Sequence, residues 1–99
     1  MAAFQVTSSE LKTKAEELRG LNGQFKSQVG NLETQEGSLV NMWEGEARDA
    51  FDTAFKHDKE QMDKFYELIE QYCAALENIA AKYEQAESQN VSTATTRSY

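Results

Sequence analysis

The amino-acid sequence predicts an all-α protein, an antiparallel helix-turn-helix hairpin that dimerises into a four-helix bundle. Three observations predict it. The chain has no Pro among its 99 residues and is rich in Glu, Ala, Gln, Lys and Leu, so nothing interrupts the backbone hydrogen-bond ladder of a long helix. Apolar residues recur at alternating spacings of four and three over nearly the whole length, which places them on one helical stripe. The pattern lapses only once before its polar end, at Trp43-Glu44-Gly45.

The first helix, read as about 8–42, opens on Thr7-Ser8-Ser9-Glu10. That tetrad has the form of a capping box, with Thr7 as N-cap and Glu10 reaching back to the amide of the cap. Phe4, Leu11, Leu18, Phe25, Leu32 and Leu39 follow at sevenfold spacing. Ala15, Val29 and Trp43 interleave with them, together with the polar Asn22 and Glu36. Gly20, Gly23, Gly30 and Gly37 each cost ~1 kcal/mol relative to Ala inside a helix. The last three are themselves seven apart, which leaves two readings: room for close approach of another helix, or simple tolerance.

The turn, about 43–45, ends the first helix at Gly45, a residue free to adopt left-handed backbone. Glu46 and Asp49 then supply the acids that suit the first turn of a second helix, about 46–87. Its stripe is Phe51, Phe55, Asp58, Met62, Phe65, Ile69, Tyr72, Leu76, Ile79, Tyr83 and Ala86. Tyr66, Cys73 and Ala80 flank that stripe on one side and Ala54, Leu68 and Ala75 on the other. Residues 1–87 form the hairpin domain, and 88–99, polar and rich in Ser and Thr, read as a flexible tail. A connection this short makes the helices antiparallel. A hairpin this long cannot enclose a core, and the wide apolar face of the second helix calls for a second hairpin.

Composition narrows the function. Ten basic against seventeen acidic residues give a net charge of −7, which disfavours nucleic acid and anionic membrane as partners. No stretch is long enough for stable membrane insertion. Met1 to Glu10 lacks a basic start and an apolar run, so no cleavable signal peptide is expected. Cys73 is the only cysteine and reads as a small buried residue. His57, the only histidine, lies among Lys56, Asp58, Lys59 and Glu60 and reads as solvated. Glu10/Lys14, Asp52/Lys56 and Glu60/Lys64 read as pairs along exposed helix faces. No constellation suggests catalysis, a cofactor or a metal, and the expectation is a non-enzyme.

With a Trp-x-Gly triplet, Trp43 to Gly45, at the mid-chain turn between two long amphipathic helices, the chain resembles the WXG family. These are the early-secretory-antigen-like proteins of the bacterial type VII (ESX) secretion pathway. Tyr83-Glu84-Gln85-Ala86-Glu87 also fits the family's Tyr-x-x-x-Asp/Glu motif near the end of the second helix. The resemblance covers about residues 4–87. It implies that Trp43, Gly45, Tyr83 and Glu87 form an export motif, and that the protein is made in the bacterial cytoplasm and secreted as a folded dimer. It also implies an FtsK/SpoIIIE-type ATPase as partner, and pairing as a homodimer or with a related hairpin. The alternative is an intracellular targeting chaperone that pairs with a larger helical toxin domain. Read without the family, Trp43 plugs the open end of the hairpin, Tyr83 is the last core aromatic and Glu87 is a solvated acid. The stripe residues Leu11, Leu18, Phe25, Leu32, Leu39, Phe51, Phe55, Met62, Phe65, Ile69, Tyr72, Leu76 and Ile79 are assigned to the core and the dimer contact.

Overall fold

A computed structural model describes residues 7–96, with side chains through Ala86 and at Ser88. Two helices, α1 (Ser8–Asn41) and α2 (Glu46–Thr96), make up the fold. They pack side by side as an antiparallel hairpin measuring 84 × 22 × 16 Å. Phe4, the first residue of the sevenfold series, lies outside the described residues.

α1 starts where its cap places it: Thr7 has extended backbone, and its Oγ1 accepts the Glu10 N–H at 3.1 Å. The glycines do not interrupt the helix. A Cβ added at Gly20, Gly23, Gly30 or Gly37 would meet nothing within 4 Å, so within the hairpin these positions serve no close approach. α1 closes with Met42 and Trp43 donating to the Leu39 and Val40 carbonyls at 3.1 and 3.4 Å. Gly45, at φ +113°, reverses the chain, and its carbonyl accepts the Arg48 N–H at 3.1 Å.

α2 continues to Thr96, past the end expected at about 87. Residues 88–96 contain neither Gly nor Pro. A helix already nucleated propagates through such polar residues at one hydrogen bond per residue, and Ser and Thr alone do not stop it. Of the expected tail, residues 97–99 lie outside the described residues.

The seam between the helices is built from small side chains. Ser8, Ala15, Asn22 and Val29, seven apart on α1, are buried, as are Cys73 and Ala80 on α2. Tyr66, one heptad before Cys73, is half-buried. Two backbones approach closely only where side chains are short, so the interleaved column of α1 and a flanking column of α2 form the intrachain contact. The large stripe residues lie along one edge of the seam. Leu11, Leu18, Phe25, Phe55, Met62, Ile69 and Leu76 are half-buried, and Leu32, Leu39, Phe51, Phe65, Tyr72 and Ile79 are exposed. Phe25 and Phe65 meet edge to face across the helices at 5.5 Å.

The other edge of the seam is polar and sets the register. Lys12 pairs with Glu84 at 2.6 Å, and Arg19 with Glu77 at 3.0 Å and Glu70 at 3.6 Å. The Lys26 ammonium lies 4.8 Å from the centre of the Tyr66 ring, and Lys59 reaches Glu33 at 3.9 Å. Of the expected pairs along single helices, Asp52–Lys56 forms at 2.8 Å, whereas Lys14 turns to Glu17 at 3.1 Å.

Candidate functional site

Three features make up the candidate site: the turn, the far end of α2 and the apolar edge. At the turn, the Trp43 indole is half-buried against Phe51, with ring centroids 5.6 Å apart and planes inclined at 48°. It thus closes the apolar edge at the turn end, the place its stripe position gave it. Gly45 fixes where the indole sits, because only a glycine readily accepts its backbone conformation.

Arg48 is a turn residue that sequence reading did not single out. Its Nε donates to the Val40 carbonyl at 2.7 Å, and its guanidinium meets Asp49 at 3.2 Å. A cation on the last carbonyls of α1 adds a second donor to Val40, beside the Trp43 N–H, and complements the negative end of the helix dipole. The signal available in the sequence was a lone Arg among acids three residues after the turn glycine. Val40, Asn41, Trp43, Gly45, Arg48 and Asp49 together line a shallow concavity on this end of the molecule.

At the far end, Tyr83 is half-exposed on the same apolar edge. Glu87 falls on α2, its side chain outside those described. The helix between Gly45 and Tyr83 spans ~57 Å at 1.5 Å per residue. One chain therefore keeps the Trp-x-Gly turn and the Tyr-x-x-x-Glu segment at opposite ends and does not bring them together.

Two polar arrangements interrupt the seam. Asn22 is buried, and its Nδ2 donates to the Tyr66 carbonyl at 3.0 Å and to Glu70 Oε2 at 2.9 Å. Nearer the turn, Glu36 faces Asp52. Removal from water, and then the Asp52 carboxylate, push the Glu36 carboxyl above its ordinary range. The hydrogen bond from Lys56, followed by the contact with Glu36, holds Asp52 below its own, and Asp52 in turn raises Lys56. His57 is exposed. Among the described residues no cluster of His, Cys, Asp and Glu is arranged to hold a metal ion, and no helix is long and apolar enough to cross a membrane.

Comparison with known proteins gives one consistent set of likenesses. The family model for WXG100, proteins of 100 residues with WXG, matches residues 3–88. The type VII secretion system extracellular protein A of Staphylococcus aureus is 22% identical over 89 residues, covering 90% of this chain and 92% of that protein. Among solved structures, the secreted protein EsxB of Bacillus anthracis superposes with a TM-score of 0.77 at 28% identity, over 88% of this chain and 99% of the other. EsxA of Geobacillus thermodenitrificans shares the fold, with a TM-score of 0.75 at 21% identity over 87% and 92% of the two chains.

Proposed function

Because this chain belongs to the WXG100 family, we propose that it is a substrate of a bacterial type VII secretion system, exported as a folded dimer. The observation that carries the dimer is the apolar edge. Leu32, Leu39, Phe51, Phe65, Tyr72 and Ile79, all on the apolar stripes, are exposed along the hairpin, and large apolar side chains left open in that number on a charged protein favour a contact. A second copy of the chain offers the same surface in return, and pairing two such edges encloses the large side chains that one hairpin leaves open. The four-helix bundle follows from that pairing.

The export signal proposed is Trp43 and Gly45 at the turn with Tyr83 and Glu87 near the other end, read by an FtsK/SpoIIIE-type ATPase of the secretion machine. Trp43 and Tyr83 fit a recognition role because each is aromatic and only partly covered by its own chain, Trp43 at the turn against Phe51 and Tyr83 on α2.

The test is secretion from a bacterium that exports its own family members, comparing culture filtrate with cell pellet beside a cytosolic marker. The wild-type chain is expected in the filtrate without the marker. Trp43→Arg and Tyr83→Ala are expected to stay in the pellet while keeping wild-type helicity and a mass about twice 11.2 kDa by light scattering. Equal export of both variants would refute the motif assignment, and a stable wild-type monomer would refute the dimer.

A further inference from the structure

The seam changes character near the turn. Position 36 continues the column of Ser8, Ala15, Asn22 and Val29, yet it carries a carboxylate. Glu36 is half-buried, and its Oε2 is buried without a hydrogen-bond partner. Across the seam, at the position that continues the α2 column of Ala80, Cys73, Tyr66 and Lys59, stands Asp52, also half-buried and held by Lys56 at 2.8 Å. A buried acceptor without a donor is costly, and a carboxylate facing it adds repulsion.

The cations around the pair have other partners. Lys56 bonds to Asp52, and Arg48 holds the Val40 carbonyl and Asp49. Lys59, the next seam residue of α2, sits on Asp63 at 2.9 Å and lies 3.9 Å from the Glu33 carboxylate. The donor best placed to satisfy Glu36 Oε2 is therefore a proton of its own.

We propose that Glu36 is a proton-operated latch: on mild acidification it takes up a proton and donates an O–H hydrogen bond across the seam to the Asp52 carboxylate, tightening the turn-proximal half of the hairpin. Burial and Asp52 raise Glu36, whereas the Lys56 bond, and then the contact with Glu36, keep Asp52 low. The proton thus resides on Glu36, and Asp52 remains the acceptor.

The direction of the pH dependence follows by linkage. Glu36 titrates above its ordinary 4.5 in the folded chain, so between those two values the folded state holds more protons than the unfolded one. Its contribution is fully present below 4.5 and is lost as pH rises through the raised value. Asp52, lowered from 3.8, contributes stability that is present above 3.8 and lost as pH falls through its folded value. The latch is closed between these limits, in mild acid.

The test is thermal unfolding of the full chain between about pH 8 and about pH 4, for the wild type, Glu36→Gln and Glu16→Gln. Glu16 is exposed on the same helix, so the two variants remove the same charge and share any general gain from reduced self-repulsion. Gln at 36 supplies a permanent donor to Asp52. Glu36→Gln is expected to melt several degrees above the wild type at the alkaline end and to gain less on acidification, whereas Glu16→Gln keeps the wild-type gain. A carboxyl-carbon NMR titration should place Glu36 above 4.5. Equal pH dependence of the two variants, or a Glu36 midpoint at or below its ordinary value, would overturn the latch.

Discussion

Asn22 occupies a position where its column neighbours, Ala15 and Val29, are apolar. Burying an amide there is favourable only because both donor positions of Nδ2 are used, one on the Tyr66 carbonyl and one on Glu70. Glu70 is also approached by Arg19 at 3.6 Å, so the amide ties the small-residue seam to the charged edge and pins the register of the hairpin. Asn22→Ala is expected to cost about 1–2 kcal/mol, the usual cost of leaving buried polar partners unmet, measurable as a lower urea midpoint with an unchanged slope. The sequence marked Asn22 as a polar member of an apolar pattern but did not reveal its partners, because those depend on which α2 turn lies opposite. Arg48 was illegible for the same reason: its use as a cap requires the turn to fold it back onto Val40. Gly45, by contrast, was legible, since a glycine between two helical patterns has a local conformational reason to be there.

Heptad periodicity reports which residues share a column, not which column faces the sibling helix. The leucine and phenylalanine columns carry the strongest signal, yet the columns of Ala15 and of Cys73 and Ala80 form the closest contact. Residue size distinguishes the two, because a two-helix seam admits only short side chains and leaves the large ones at its edge. Enlarging the seam should therefore be harmful. Ala80→Leu is expected to destabilise the hairpin by about 1–3 kcal/mol through overpacking, read by chemical denaturation. The end of α2 was misjudged at about 87 because sequence supplies stop signals for helices, and residues 88–96 hold neither Gly nor Pro to stop one or an apolar stripe to continue one. Extension does not imply packing. Lys12 lies beside Glu84 and α1 begins at Ser8, so the last turns of α2 pass beyond the end of α1. Deleting residues 90–99 is expected to leave the melting temperature nearly unchanged; a fall of many degrees would show that this segment is packed.

The whole chain exposes 7800 Å², whereas a compact monomer of its mass would expose about 5,700 Å². Elongation accounts for a larger surface, the last turns of α2 beyond α1 included, and a stable interface needs only ~800 Å² of it per partner. The same elongation holds Trp43 and Gly45 ~57 Å from Tyr83 along α2, so one protomer cannot present both halves of the proposed export signal as a single surface. If two hairpins pair antiparallel through their apolar edges, each turn comes beside the α2 end of the partner, and every dimer carries two composite sites. Each site then takes its turn from one chain and its Tyr83 and Glu87 from the other. The prediction separates cooperation within a chain from cooperation between chains. In a mixed dimer of Trp43→Arg with Tyr83→Ala, the wild-type turn of the second chain faces the wild-type Tyr83 of the first, so one site is intact. The other site carries both substitutions. Co-expression with two different affinity tags, followed by sequential capture from the culture filtrate, should therefore recover the mixed dimer, while each variant homodimer stays in the pellet. If the machine instead reads both motifs from one chain, no protomer of the mixed dimer is intact, and it remains inside the cell with the homodimers. Retention of the mixed dimer, with wild-type dimers carrying the same tags exported normally, would exclude the composite site.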